Sequence, residues 1–303
     1  MKIVVCGGTG FIGRALVDFW LEAGHQLVIV TREHPQHAQP STNLSYISWD
    51  QLDQTPQMIE GIDALVNLSG ETLNQRWTKK AKEEIIESRL RTVAIVAKAI
   101  DALQHKPEVV VQASAMAIYG TSPDKTFDEN SPARDMNFPS HVAVEWEKAA
   151  EAIKGVRLAL LRVSLVLGHR KGVFPLLKLP YHLGVGGRVG SGKQWNSWIH
   201  IIDMVRLIDF MVMNKEMTGG VNASSPNPVT NDEFGRTIGQ VFHRPHWFPV
   251  PSFLIKTAVG ELAVVLLEGM RVIPKKALDH GFQYLFPTLQ LALEDLKSRK
   301  LSD

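Results

Sequence analysis

Three glycines at three-residue spacing, Gly7, Gly10 and Gly13, stand in the run Gly7-Gly8-Thr9-Gly10-Phe11-Ile12-Gly13, directly after the apolar residues Ile3 to Cys6. Such a turn suits one kind of chemistry. The first glycine lets the chain reverse tightly, the second lets backbone approach a phosphate without an intervening Cβ, and the third lets the next helix lie close to the sheet. The helix N-terminus then offers unpaired N–H groups to a pyrophosphate. Because the motif follows a strand and opens a helix, it reads as a dinucleotide cradle rather than a ligand-free turn. The end of the next strand decides which dinucleotide. There Val30 is followed by Thr31-Arg32-Glu33. An Arg32 guanidinium pairs with a 2′-phosphate, Thr31 offers a hydroxyl donor, and Arg14 adds charge beyond the glycines. Glu33 takes the acidic role of accepting a ribose 2′-hydroxyl if the strand ends one residue later. Arg32 tips the expectation to NADP(H).

Elsewhere chemistry-bearing groups are sparse. His34 with His37, and His243 with His246, lie in Pro-containing stretches without thiolate or carboxylate support, so no metal site is expected. No His-Glu-x-x-His and no Gly-x-Ser-x-Gly occurs. The glycine-rich residues 184–192, with Arg188, Lys193, Gln194 and Trp195, have two readings. Either they clamp an anionic or polar substrate over a nicotinamide, which makes Arg188, Gln194 and Trp195 substrate contacts, or they form an irregular crossover. His200 reads as a packed, hydrogen-bonded residue and Asp203 as a helix N-cap.

Composition narrows the field. With 303 residues, 45% apolar and 21% charged, the chain has enough apolar content for a sizeable core. A net charge of +2 without basic runs argues against a nucleic-acid partner. Cys6 is the only cysteine, which excludes intrachain disulfides and thiolate zinc sites and fits a reducing compartment. The apolar runs are too short for a signal-peptide core or a bilayer span, so a cytoplasmic protein without a membrane partner is expected.

The elements that position these residues alternate. Residues 3–5, 27–30, 64–66, 109–111 and 158–161 are nearly continuous apolar runs, as buried parallel strands require. Between them come helix patterns at 11–23, closed by Gly24 in the left-handed region, at 78–103 behind a capping Thr78, at 140–153 and near 204–213. The expected fold class is α/β, a Rossmann-type doubly wound parallel sheet with a smaller C-terminal α+β substrate lobe. Residues 1–165, rejoined by roughly 197–222, would make the nucleotide domain, and 166–196 with 223–303 the substrate lobe. The oligomeric expectation is a monomer or homodimer.

These residues resemble a known family. The glycine turn and the alternating elements look like an extended short-chain dehydrogenase/reductase. Asn67-Leu68-Ser69-Gly70-Glu71, Arg76-Trp77-Thr78, Ser88-Arg89, the run from Gly186 to Gln194, and Ser197-Trp198-Ile199-His200-Ile201 resemble its atypical epimerase-like branch. Arg244-Pro245 through Pro249-Val250-Pro251, with Gly281-Phe282, resembles the C-terminal segment special to that branch. The resemblance implies NADP(H) contacts at Gly7, Thr9, Gly10, Phe11, Ile12, Gly13, Thr31, Arg32, Leu68 and Ser69, and at Glu84, Arg89 and Val166. For Glu84 and Arg89 the alternative is a neighbouring ion pair on a solvated helix face.

In one respect the chain departs from that family. Most active short-chain dehydrogenases use a Tyr-x-x-x-Lys pair, whose lysine lowers the tyrosine pKa for proton transfer. Tyr46, Tyr119, Tyr181 and Tyr284 are followed four places on by Asp50, Pro123, Val185 and Thr288, so none forms the pair. Ser114 and Tyr119, in a segment resembling the Ser-containing stretch before Tyr-Gly in extended members, are the candidate catalytic residues. Ser114 would orient a substrate oxygen and Tyr119 would serve as acid or base. Alternatively, Ser114 satisfies local backbone and Tyr119 packs its ring with its hydroxyl at the surface. Two functions remain. One is an oxidoreductase or sugar-nucleotide epimerase-like enzyme for a small hydroxyl- or carbonyl-bearing substrate. The other is a catalytically silent NADP(H)-binding sensor or scaffold.

Overall fold

The computed structural model describes residues 1–32, 42–169 and 171–299. Glu33, His34 and His37 lie outside the described residues. The chain begins β1 (Lys2–Cys6), α1 (Phe11–Glu22), β2 (Gln26–Thr31), β3 (Leu44–Ser48), α2 (Trp49–Gln54), β4 (Ala64–Asn67), α3 (Lys79–Ala102) and β5 (Val109–Ala115). It continues through β6 (Thr126–Phe127), α4 (Phe138–Ala150), β7 (Arg157–Val163), β8 (Leu165–Leu167), α5 (Phe174–His182), β9 (Trp195–Asn196), β10 (Trp198–His200), α6 (Ile201–Met213) and β11 (Gly219–Ala223). The remainder is β12 (Val229–Thr230), α7 (Asn231–Phe242), α8 (Ser252–Val259), α9 (Ala263–Leu267), β13 (Arg271–Val272), α10 (Lys275–Asp279) and α11 (Leu289–Ser298).

Seven strands form one parallel sheet in the order β11-β7-β5-β4-β1-β2-β3. The order reverses between β1 and β4, and in such sheets that crevice receives the ligand. The fold is Rossmann-type. Period-two alternation divides each strand between two cores. Ile3, Val5, Leu27 and Ile29 pack with α1 and α6, whereas Val4, Cys6, Val28 and Val30 pack with α2, α3 and α4. Burial drives the Cys6 thiol pKa far up, so it behaves as a small core hydrophobe. A separate apolar cluster, including Leu167, Phe174, Tyr181, Trp198, Phe234, Ile238 and Leu293, joins β8 and β10 to α5, α7 and α11.

Two expected boundaries hold closely. Gly24 is left-handed at φ +79° after α1, and the Thr78 side chain accepts from Ala81 N–H at 3.2 Å. At α6 His200 is packed and hydrogen-bonded as expected, but it also takes the N-cap role expected of Asp203. The helix starts at Ile201, and His200 is its N-cap, with Nδ1 accepting from Ile202 N–H at 3.2 Å. Asp203 sits inside the first turn, fully buried. It accepts the N–H groups of Leu285 and Phe286 at 2.9 and 2.8 Å, and Arg206 at 3.0 Å. The two backbone N–H groups it serves come from a loop remote in sequence, which no local capping pattern reveals. No helix of the described residues is long and apolar enough to cross a membrane.

His200 gives the fold a defined acid sensitivity. Burial brings its pKa down to about 4 against the opposing pull of Asp295, whose Oδ2 lies 3.2 Å from Nε2 without hydrogen-bond alignment. The folded chain therefore favours the neutral ring, and its stabilising contribution is complete above the unfolded value near 6.5. It is lost as pH falls from there toward about 4, by up to about 3 kcal/mol. Denaturant melts across that window should show the loss, and His200→Asn, which keeps a capping side chain, should reduce it.

Candidate cofactor-binding site

At the end of β1 the chain turns at Gly7, which holds φ +80° and donates to the Val30 carbonyl at 3.3 Å, while Gly10 N–H donates to the Gly7 carbonyl at 3.0 Å. A Cβ on Gly13 would stand 2.2 Å from the Gly7 oxygen and 2.7 Å from Gly8 Cα. One on Gly7 would meet the Leu68–Ser69 backbone at 3.0–3.1 Å. Gly10 differs, because its Cβ would meet only the Gly7 oxygen, at 3.2 Å. It faces open space beside exposed Thr9. Gly10 is also the N-cap of α1 and supplies no side-chain cap, so the first-turn N–H groups remain available to an anion. Arg14 Nε donates to the Thr9 carbonyl at 2.8 Å and so braces the turn.

Other elements complete the cradle. Phe11 fills a notch formed by Gly168 and Gly172, where a Cβ would come within 2.4 and 2.8 Å of its ring. Val166 is buried in β8, paired with Ile199 of β10. Leu68 and Ser69 follow β4, where Asn67 Oδ1 accepts Ser69 N–H at 3.1 Å and Asn67 Nδ2 donates to Gln112 at 2.8 Å. Ser69 Oγ is buried without a hydrogen-bond partner, directly beside Gly7. An orphan hydroxyl next to a glycine cradle is what a missing ligand's oxygens would satisfy. Thr31 is buried at the end of β2, and Arg32 is 84% exposed with Nη1 3.6 Å from Glu71 Oε2.

Glu84 and Arg89 do not pair with each other. Glu84 is exposed and lies 3.7 Å from Lys80. Arg89 is buried, donates to the Glu71 and Ile85 carbonyls at 3.0 and 2.9 Å, and lies over the Trp146 ring at 4.8 Å. Burial lowers its pKa to about 10, so it stays charged at neutral pH.

The catalytic candidates are placed differently from the expectation. Ser114, Arg162 and Asn222 stand in register on β5, β7 and β11. Ser114 is buried and donates to Glu147 Oε1 at 2.7 Å. Arg162 grips Glu147 in a two-pronged pair at 2.8 and 2.9 Å and donates to the Tyr119 hydroxyl at 2.8 Å. Tyr119 has no exposed surface and donates to Asn222 Oδ1 at 2.7 Å. Burial pushes its pKa up to about 12, against Arg162. A phenol that is enclosed, doubly hydrogen-bonded and hard to ionise is unsuited to proton transfer at neutral pH. Its hydroxyl is not at the surface either. Ser114 likewise serves a side chain rather than local backbone.

Residues 184–192 are pinned rather than loose. Gly190 N–H donates to Val250 O and Val250 N–H to Arg188 O, both at 2.8 Å. Gln194 is buried and donates to the Val189 and Leu266 carbonyls at 2.9 and 3.1 Å, which makes it a brace of this segment. Trp195 Nε1 donates to Pro123 O at 3.0 Å, with Arg271 over its ring. Arg188 lies on the pinned segment, with its side chain against Gly192. His246 bonds Tyr181 at 2.9 Å and Asp232 at 3.0 Å. No group of His, Cys, Asp or Glu suited to a metal ion occurs among the described residues.

A glycine cradle at the switch point of this strand order defines a dinucleotide-binding protein of the Rossmann class. Residues 3–222 match the NAD dependent epimerase/dehydratase family and residues 250–296 match a Domain of unknown function (DUF1731). The chain is 40% identical over 299 residues to Epimerase family protein YfhF of Bacillus subtilis, covering 98% of each. It is 36% identical to Epimerase family protein SDR39U1 of Mus musculus, covering 98% of this chain and 99% of that one. A crystal structure of human epimerase family protein SDR39U1 (isoform2) with NADPH superimposes with a TM-score of 0.90 at 36% identity, covering 98% and 99% of the two chains. The chain belongs to the NAD dependent epimerase/dehydratase family, as an atypical extended short-chain dehydrogenase/reductase.

Sequence reasoning missed Glu71, Glu147, Arg162 and Asn222, whose roles arise from contacts between elements. Tyr119→Phe is expected to lower the unfolding free energy by about 1–3 kcal/mol, by leaving Asn222 and Arg162 underpaired. Glu147→Gln should cost more, about 3–5 kcal/mol, because it leaves the Arg162 guanidinium, whose side chain is only 12% exposed, without its counter-charge. Urea titrations check both, and a Tyr119→Phe chain as stable as the parent contradicts a structural role for the hydroxyl.

Proposed function

We propose that the chain is an NADP(H)-binding oxidoreductase or sugar-nucleotide epimerase-like enzyme acting on a hydroxyl- or carbonyl-bearing small molecule. The observation that carries this reading is the cradle, with its uncapped α1 N-terminus, its orphan Ser69 hydroxyl and exposed Arg32. The NADPH in the human relative's structure supports it. In this reading Gly7, Thr9, Gly10, Phe11, Ile12 and Gly13 hold the pyrophosphate. Thr31 and Arg32 hold the 2′-phosphate, Leu68 and Ser69 flank the adenosine, and Glu84, Arg89 and Val166 complete the cofactor's surroundings. The bound nicotinamide would supply or accept hydride. Residues 166–196 and 223–303 act as the substrate lobe over a nucleotide domain of 1–165 with about 197–222, and the cationic Arg188 on that lobe attracts an anionic substrate. The proton that accompanies hydride passes through a group other than Tyr119.

One observation favours a second reading, an NADP(H)-binding sensor or scaffold without turnover. Both catalytic candidates are consumed by the internal chain Ser114–Glu147–Arg162–Tyr119–Asn222, and no Tyr-x-x-x-Lys pair replaces them. Nicotinamide fluorescence titration should show NADPH binding, with Arg32→Gln weakening it by roughly tenfold or more. Gly13→Ala, with no room for its Cβ, should abolish binding. The enzyme reading also requires a change in nicotinamide absorbance with some member of a panel of nucleotide sugars and carbonyls. Binding with no turnover in either direction favours the sensor.

A further inference from the structure

Arg32, the 2′-phosphate partner in the proposed function, faces a carboxylate. Glu71 Oε2 stands 3.6 Å from its Nη1. Glu71 comes from the turn after β4, and its main chain is fixed there. Its N–H donates to Ser88 Oγ at 3.1 Å, and its carbonyl accepts from Arg89 at 3.0 Å. The side chain keeps 34% exposure and is free of those backbone ties. A 2′-phosphate carries roughly −1.5 to −2 charges near neutral pH and repels a carboxylate held on the same guanidinium. It therefore displaces Glu71. The displaced group has somewhere to go, because Glu71 also lines a cavity of about 560 Å³ with Glu84, Glu87, Ser88, Leu90 and Arg91.

The same carboxylate suits the other cofactor. With an unphosphorylated ribose no phosphate contests Arg32, and a carboxylate beside the second strand accepts a hydrogen bond from the 2′-hydroxyl. We infer that Glu71 is a specificity-determining residue that competes with the 2′-phosphate for Arg32 and accepts the 2′-hydroxyl of NAD(H), so that the site takes both cofactors with a narrowed preference. The inference rests on the proposed cofactor site and adds to it a residue from a different element.

Calorimetric titration of the full chain with NADPH and NADH tests it, comparing the parent with Glu71→Gln and Glu71→Ala. Both substitutions keep the backbone contacts, and a thermal melt verifies folding. Glu71→Gln should tighten NADPH by about three- to tenfold and weaken NADH by a similar factor. The ratio of the two dissociation constants therefore moves further than either constant alone. Unchanged or weaker NADPH binding in a folded variant overturns the inference. Equal tightening of both cofactors also overturns it, since the carboxylate then acts only as a general negative charge. A parent chain that binds neither cofactor overturns the proposed cofactor site and this inference together.

Discussion

The contact between α1 and the turn after β1 sets the rest of the molecule. A Cβ at Gly13 would lie 2.2 Å from the Gly7 carbonyl oxygen, so the helix can descend onto the turn only because that atom is missing. The close approach aims the positive end of the helix dipole at the crevice where the strand order reverses. It also places Phe11 against Gly168 and Gly172, coupling the first helix to the segment that leaves the sheet after β7. Gly24, by contrast, needs only its left-handed backbone, since a Cβ there would meet nothing. The two glycines serve the same helix for different reasons.

A second layer of order is polar and lies on the strand rows beside that crevice. Asn67 bonds Gln112, and Ser114, Glu147, Arg162, Tyr119 and Asn222 form one chain. Glu129 extends it by accepting Asn222 N–H at 3.0 Å and Lys276 N–H at 3.1 Å. Burial raises the Glu129 pKa despite those donors. Such a network is costly to leave half-satisfied and specifies one arrangement when complete. Here it ties β5, β7 and β11 to α4 and α10. Tyr119, which sequence reasoning offers as acid or base, and Ser114, offered to orient a substrate oxygen, are thereby used to hold the strand ends together.

Much of this architecture is legible in the residues, and the limits have physical causes. The cradle is local, so seven consecutive residues announce it. Strands β1, β2, β4 and β5 announce themselves because both faces are buried and both must be apolar, and β7 because it buries Ala159 and Leu161 on one face and half-buries Leu158 and Leu160 on the other. Strand β3 escapes notice because it buries only Ile47, and β11 because Gly-Gly-Val-Asn-Ala has little strand propensity of its own. Its place is dictated by pairing Gly219 with Ala159. Likewise Arg32 reads correctly as an exposed cation at a strand end, but its carboxylate neighbour arrives from Glu71 on another loop. Spacing reveals what a segment does to itself, and these juxtapositions are made by the sheet.

Strand β11 closes the edge of the sheet, yet between Val163 and Gly219 the chain leaves to build other strands and helices. During synthesis, β7 must therefore wait with one row of backbone N–H and C=O groups open until residues 219–223 emerge. An open parallel edge is the part of a nascent chain that recruits foreign strands. The intervening residues thus set a time interval as well as a shape. Any insertion there lengthens the period in which the half-made sheet is exposed to its neighbours.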